Sequence, residues 1–320
     1  MRASGVGLSL AVLSAATFGT SGTFAASLMA AGWSPAAAVT VRVGVAAVIL
    51  TLPALIQLRG RWPLLRRSLP AITAYGFVAV AGCQLFFFNA VEHLSVGVAL
   101  LLEYSGTVLV VGWMWLRHGH RPGRLTTLGG ALAIGGLVLV LDLTGAQHVD
   151  AVGVLWGLGA AAGLAVFFVL SAHTDELVPP MVMAWAGLAI GAVTLGLFEL
   201  VGAVPFRAST RDVQFTGHRT SWLVPVVGLS LVAAAIAYSA GIGAARRLGA
   251  RVASFVGLSE VLFAILFAWL LLDQRPGVLQ LVGGVVVLLG IALVRAGEQQ
   301  PDVTQPPGAL HLSAPESSLI

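Results

Sequence analysis

The stretch RPGRLTTLGGALAIGGLVLV, residues 121–140, returns later in the chain as RPGVLQLVGGVVVLLGIALV, residues 275–294. When the chain is shifted by 154 residues without gaps, residues 90–140 align with residues 244–294, and 16 of these 51 positions are identical. Apolar sequences match by chance, but a shared Arg-Pro-Gly followed six residues on by Gly-Gly is not explained by composition. The chain therefore contains an internal repeat.

Composition places this repeat in a membrane. Of the 320 residues 58% are apolar and only 9% are charged, whereas soluble domains carry about 25% charged residues. All 17 basic residues are arginine and the net charge is +4. Because these arginines stand mainly in short loops, we interpret them as topology signals and expect no nucleic-acid partner.

Ten apolar segments are about as long as the 17–25 residues that cross a bilayer as a helix. We therefore predict an all-α integral membrane protein with ten transmembrane helices. The predicted spans are 6–30, 35–57, 70–91, 94–116, 125–143, 151–172, 179–203, 222–245, 250–272 and 277–295.

Arginine placement predicts the orientation. With the N-terminus inside, 12 of the 17 arginines lie on the cytoplasmic side and four lie outside, while Arg42 lies within the second helix. Three of the outside arginines share the long loop 204–221, which argues against this orientation, but the overall ratio favours it. The arginine-only basic composition is typical of a GC-rich bacterial genome. We predict a multi-pass protein of the bacterial plasma membrane with both termini in the cytoplasm.

Each copy of the repeat holds five helices, and five is odd, so the second copy must enter the membrane inverted. The loops agree: Glu92-His93, predicted outside, align with Arg246-Arg247, predicted inside. We predict a first five-helix repeat at 1–143, an external linker at 144–150 and a second, inverted repeat at 151–296. The Pro-rich polar tail 297–320 is predicted to be disordered and cytoplasmic. Inverted repeats are a recurrent transporter architecture, with substrate held near the midplane between the copies.

Ten helices in two inverted halves, with an arginine in the second helix (SPAAAVTVRVGVAA), resemble the drug/metabolite transporter superfamily and its EamA family. Within it, residues 89–110 and 243–276 resemble the threonine/homoserine exporter branch, which has a Glu shortly before a Pro in the fourth and ninth helices. Glu103 and Glu260 match the acidic positions, whereas Thr107 and Val261 stand where the prolines would be. The resemblance implies amino-acid export. The missing prolines leave open whether the mechanism uses a proline-dependent hinge.

Glu103 and Glu260 are the strongest candidates for a site. A charged side chain at the bilayer centre costs roughly 2.5–3.5 kcal/mol on insertion scales, so neither carboxylate should face lipid. The 154-residue shift aligns Glu103 with Gly257 and Glu260 with Gly106, which puts the two carboxylates one helical turn apart on equivalent faces. We expect a central acidic site that binds a substrate ammonium group, exchanges protons, or does both. The alternative is a structural role, as a hydrogen bond to Ser, Tyr or backbone or as a buried pair with Arg42.

Other polar and aromatic residues at membrane depth are candidates for lining a cavity, although packing between helices is their ordinary role. Arg42 is a candidate partner for a substrate carboxylate, and we favour a structural role for it because the second helix in this family tends to sit away from the cavity. The candidate cavity residues are Gln84, Asn89, Tyr104, Trp156, Tyr238 and Ser239.

The remaining sequence features argue against an enzyme. All seven histidines fall in predicted loops or the tail, the one cysteine, Cys83, lies in an apolar run, and no phosphate-binding GxxxxGK motif occurs. We predict no cofactor and no metal site, and energy from an ion or substrate gradient, with a proton or another ion as the coupling partner. The hypothesis is a secondary active transporter that exports a small metabolite, an amino acid or a related compound. The alternatives are efflux of drugs or cationic solutes and, in another class, a non-transporting membrane scaffold or receptor. The sequence gives no indication of the oligomeric state.

Overall fold

The computed structural model describes residues 2–94, 96–119, 122–141, 150–173, 178–272 and 275–299. In these ranges eight helices are long and apolar enough to cross a membrane, and two shorter apolar helices, Arg124–Val140 and Ser259–Leu271, accompany them. The prediction of an all-α membrane protein with ten spans is confirmed for this part of the chain. The tail beyond residue 299 and all of the predicted linker except Asp150 lie outside the described residues.

Several spans are built from more than one helical segment, and we number the spans 1 to 10 in chain order. Spans 8 and 9 follow each other without a loop and meet at Gly249, whose non-helical φ of 78° and ψ of 160° turn the chain. The segments are Arg2–Gly19 and Ser21–Ala30 (span 1), Pro35–Leu58 (span 2), Trp62–Ala74, Tyr75–Gly82 and Cys83–His93 (span 3), Val96–Tyr104 and Gly106–His118 (span 4), Arg124–Val140 (span 5), Ala151–His173 (span 6), Pro180–Leu200 (span 7), Leu223–Val227, Gly228–Ile236 and Ala237–Gly257 (span 8 and the start of span 9), Ser259–Leu272 (span 9) and Val278–Gln299 (span 10).

The packing of the spans follows the two copies of the repeat. Span 1 packs on spans 8 and 9, and its counterpart, span 6, packs on spans 3 and 4. Span 2 contacts span 7 and span 5 contacts span 10, each pairing a helix with its own counterpart. Exchanging the two copies leaves these pairings unchanged, as a two-fold relation between the copies requires, and span 6 additionally packs on Ala237–Gly257.

A glycine seam, made of Gly129 and Gly136 in span 5 with Gly283 and Gly290 in span 10, shows the direction of the two copies. The 154-residue shift relates Gly129 to Gly283 and Gly136 to Gly290. In the structure Gly129 instead lies against Gly290, and Gly136 lies against Gly283. Equivalent glycines that meet in crossed order require antiparallel spans, so the repeat is inverted. Without side chains at these four positions the backbones approach closely, as small residues allow in membranes.

Two π-helical segments lie at equivalent positions of spans 3 and 8. Tyr75–Gly82 aligns under the shift with residues 229–236, and the second segment is Gly228–Ile236. Span 7 packs on the first π-helix and span 2 packs on the second. Long π-helical segments are rare and occur frequently at functional sites, because the i→i+5 pattern widens the helix and re-aims its carbonyl groups.

A two-stranded hairpin, Val213–Phe215 with His218–Thr220, forms within the loop between spans 7 and 8. Its two turn residues, Thr216 and Gly217, both have positive φ, as a type I′ hairpin turn requires. The loop is tied to the start of span 2 by Ser34, whose hydroxyl caps that helix at Ala37 N and donates to Pro205 O at 2.9 Å. The sequence predicts only a long loop here, since two three-residue strands carry almost no periodic signal.

Candidate functional site

Glu103 is held in span 4 close to span 3 and span 6. The Cys83 thiol in span 3 lies 3.4 Å from Glu103 Oε1 and 3.4 Å from the carbonyl oxygen of Ala160 in span 6. Cys83 is almost fully buried, whereas Glu103 keeps intermediate exposure because it faces a cavity. The carboxylate that the sequence placed at mid-membrane therefore points into the protein and away from lipid.

Glu260 lies in span 9 and lines the same cavity as Glu103 and Tyr104. Tyr104 follows Glu103 directly in the chain and interacts electrostatically with the Glu260 carboxyl group. The two glutamates also act on each other electrostatically. The structure thus brings Glu103 and Glu260 to one site, with one contributed by each copy of the repeat.

Both helices that carry the glutamates depart slightly from regular α-helix beside them. Ser105 in span 4 (φ −60°, ψ −14°) and Leu258 in span 9 (φ −57°, ψ −23°, one position before Ser259) keep right-handed helical dihedrals but lie between two helical segments. Ser105 and Ser259 are equivalent under the 154-residue shift, and each donates its hydroxyl to the carbonyl three residues back, at 2.5 Å and 2.7 Å. Serine and threonine hydroxyls that bond to earlier carbonyls bend helices. A serine hydroxyl therefore stands beside the same irregularity in both copies of the repeat.

Arg42 approaches the same space from span 2. Its guanidinium donates through Nη2 to the carbonyl oxygen of Ala233 at 2.5 Å, and this carbonyl belongs to the π-helix of span 8. The guanidinium carbon lies 5.6 Å from the centre of the Phe18 ring, within the range of a cation–π contact. Phe18 in turn packs edge to face on Tyr238, with ring centres 5.0 Å apart.

These residues surround a central cavity of about 400 Å³ that lies between the two copies of the repeat. Its wall in span 2 extends only from Pro35 to Arg42, so it reaches toward the loop between spans 1 and 2 and not toward the other end of span 2. Six predicted residues line it: Arg42, Gln84, Glu103, Tyr104, Tyr238 and Glu260. On sequence grounds we favour a structural place for Arg42 away from the cavity, whereas the structure places it in the cavity wall.

Three other candidates lie outside the lining. The Asn89 side-chain amide donates to Leu85 O at 2.7 Å, and the Ser239 hydroxyl donates to Ala235 O at 2.7 Å. Each of these side chains therefore hydrogen-bonds to a backbone carbonyl of its own span. Trp156 packs against Phe86, with ring centres 5.5 Å apart. For these three residues the structure shows the ordinary packing role that is the alternative to lining the cavity.

The sequence predicted the two tyrosines of the wall, Tyr104 and Tyr238, but not its phenylalanines. Five phenylalanines line the cavity: Phe18, Phe87, Phe88, Phe167 and Phe168. Ser14 also lines it and donates its hydroxyl to Ala237 O at 2.9 Å. In apolar spans a phenylalanine facing a cavity has the same sequence signal as one facing lipid, so nothing in the pattern separates these five from the rest.

The fold and the site define a class: a multi-pass membrane protein of two inverted repeats, with a ligand-sized and largely apolar cavity between them that includes a few charged side chains. The sequence profile of the EamA-like transporter family matches residues 5–142 and 151–296, nearly the whole of the described chain. The chain belongs to the EamA-like transporter family; it is a membrane transporter and not an enzyme.

Individual relatives agree with this assignment. An uncharacterized transporter of Archaeoglobus fulgidus is 26% identical over 227 residues, covering 71% of this chain and 76% of the relative. The uncharacterized transporter YwfM of Bacillus subtilis is 24% identical over 245 residues, 74% of this chain and 76% of the relative. A solved structure, titled only as the crystal structure of a protein, matches with a TM-score of 0.71 at 16% identity and covers 94% of this chain and 99% of that one. This last likeness shows the fold alone.

Proposed function

We propose that this transporter exports a small metabolite, an amino acid or a related compound, by alternating access around Glu103 and Glu260. The observation that carries the proposal is the placement of two carboxylates, one from each inverted copy, in the wall of one cavity between the copies. Transporters of inverted repeats hold substrate and coupling ion at this kind of interface. The resemblance of the fourth and ninth helices to the threonine/homoserine exporter branch supports the substrate class.

In this mechanism Glu103 and Glu260 bind either the substrate ammonium group or the coupling proton. A cavity of about 400 Å³ falls within the 300–1,000 Å³ typical of small-molecule sites. The two copies rock against each other about this interface. We place the protein in a bacterial plasma membrane with both termini in the cytoplasm, on the arginine distribution described above.

With that orientation the loop between spans 1 and 2 is external, and the cavity reaches toward the outside. On the opposite side of the membrane Gly7 of span 1 packs tightly on Arg247 and Leu248 of span 8. This arrangement corresponds to an outward-facing state of an alternating-access cycle.

The test is transport by purified protein in liposomes, with a panel of radiolabelled amino acids and with or without a pH gradient. Saturable transport by the wild type, lost or uncoupled from pH in Glu103→Gln and Glu260→Gln, supports the proposal. The matched control is Glu199→Gln: Glu199 also lies in a span, accepts a hydrogen bond from Thr40 at 2.8 Å, and is not part of the cavity wall. Equal transport by all four proteins would refute a role for the acidic site.

The five phenylalanines of the wall favour a second candidate function, efflux of lipophilic cations. Aromatic faces and carboxylates together attract such cations. Resistance to cationic dyes, without resistance to toxic amino-acid analogues, in cells that overproduce the protein would favour this candidate over amino-acid export.

A further inference from the structure

Arg42 is a buried cation with few partners for its N–H groups. Only 7% of the residue is exposed, and the guanidinium has one hydrogen-bond acceptor, the carbonyl oxygen of Ala233. Its Nε is buried without a hydrogen-bond partner. Among the described residues the ion pairs join His93 with Asp150 and Arg219 with Asp212, and neither includes Arg42.

A guanidinium has five N–H donors in one plane and can bind a carboxylate in a bidentate manner, through two parallel hydrogen bonds. Burial of a cation without an anion is costly, because lost hydration is not replaced by an opposite charge. Glu103 and Glu260 attract Arg42 electrostatically but form no ion pair with it, and the Cys83 thiol lies 3.4 Å from Glu103 Oε1. The guanidinium therefore lies in the cavity wall with N–H donors that no carboxylate of the described residues contacts directly.

The cavity lining consequently carries charges of both signs. It includes Arg42, which lies over the Phe18 ring that packs on Tyr238, and it includes Glu103 and Glu260. A cation alone would meet attraction from the glutamates and repulsion from Arg42, and an anion alone would meet the reverse. A molecule with a carboxylate and an ammonium group offers each of these charges an opposite partner.

We propose that Arg42 binds the carboxylate of a zwitterionic substrate while Glu103 and Glu260 face its ammonium group, so that the site selects α-amino acids over simple cations. This inference rests on the proposed transport function and specifies its substrate class. It also gives a reason for an arginine whose cost the protein could avoid with an apolar residue. The carbonyl of Ala233 then serves to orient the guanidinium fork.

The first test uses wild-type protein in liposomes and compares each transported amino acid with its methyl ester as a competitor. The ester keeps the ammonium group and loses the negative charge that Arg42 would bind. We expect the ester to compete roughly 10- to 100-fold more weakly, as for loss of a hydrogen-bonded charged partner. Equal competition by acid and ester would overturn the inference whatever the variants do.

The second test measures the apparent KM for the amino acid in Arg42→Lys and Arg42→Gln, and competition by the ester in the same proteins. Arg42→Gln should lose most of its preference for the acid over the ester, and Arg42→Lys, which keeps charge but not the fork, should keep part of it. Arg219→Gln is the matched control, since Arg219 is an exposed arginine paired with Asp212 outside the cavity. An unchanged acid-to-ester ratio in Arg42→Gln would contradict the proposal.

Different results would refute the proposed transport function and the proposed role of Arg42. If the wild type transports no amino acid of the panel and none inhibits transport of another, the proposed function is refuted, and the proposal for Arg42, which rests on it, is refuted with it. If the wild type transports amino acids but ignores the carboxylate, the transport proposal stands and the role of Arg42 is structural. If Arg42→Gln does not fold, the competition between amino acid and methyl ester in the wild type still tests whether the site binds the substrate carboxylate.

Discussion

Substitution of Gly129 by alanine tests how closely spans 5 and 10 must approach. A Cβ at Gly129 would lie 2.6 Å from the carbonyl oxygen of Gly290 and 2.7 Å from Val294 N. Ordinary contacts of a Cβ begin at 3.4 Å, so the two backbones must separate by about 0.8 Å. Overpacking of this kind costs about 1–3 kcal/mol. Both contact atoms are backbone, which has no alternative rotamer and cannot relieve the clash by moving a side chain.

The matched control lies on the same helix. No atom lies within 4 Å of the position that a Cβ at Gly135 would occupy, so Gly135→Ala meets no neighbour and improves helix propensity by about 0.5–1 kcal/mol. We expect Gly129→Ala to lower the free energy of unfolding and Gly135→Ala to leave it unchanged or raise it. Reversible unfolding in mixed micelles, followed by circular dichroism, measures both.

A double substitution sharpens the test, because Gly129 and Gly290 share one contact. Once either alanine has separated the spans, the second meets less resistance, so the two losses should not add. We expect a coupling energy of about 0.5–3 kcal/mol for the double variant Gly129→Ala with Gly290→Ala. If Gly129→Ala is as stable as Gly135→Ala, or if the two losses add fully, the close approach of the spans is wrong.

Three further predictions concern single positions. Gly249→Ala forces a non-glycine residue to φ 78° and ψ 160°, and should lower the free energy of unfolding by about 1–3 kcal/mol, whereas Gly196→Ala, which meets open space, should not. Because Cys83 is almost fully buried and its thiol lies 3.4 Å from Glu103 Oε1 at the cavity wall, a membrane-permeant maleimide should label it slowly in the folded protein, and bound substrate should slow the labelling measured by mass spectrometry further; labelling that substrate leaves unaffected would place Cys83 outside the route. Asp150→Asn removes a half-exposed pair with His93 and should change the free energy of unfolding by less than about 1 kcal/mol, so a larger loss would show that this pair closes the ends of spans 3 and 6.

The sequence determined the features that follow from composition, length and repetition. The lengths of the apolar segments predicted the ten spans, because the fixed thickness of a bilayer sets how many apolar residues a spanning helix needs. The repeated RPG and Gly-Gly pattern, with an odd number of helices in each copy, predicted the inversion that the crossed contacts of the glycine seam now show. The two glutamates were recognisable because a carboxylate in an apolar span cannot face lipid cheaply.

Only the tertiary structure decided what depends on the direction in which a side chain points. Phe18 and Phe167 face the cavity while many other apolar side chains face outward, and composition is the same on both sides. The π-helices of spans 3 and 8 lie against spans 7 and 2, and no signal in the sequence predicted either π-helix. Arg42 reaches the cavity because a carbonyl of one π-helix holds it there. In a membrane span nearly every residue is apolar, so the helical periodicity of apolar residues that marks the buried face of a soluble helix is weak. Which face of a span is buried in the protein is therefore determined by its contacts with spans that are distant in the sequence.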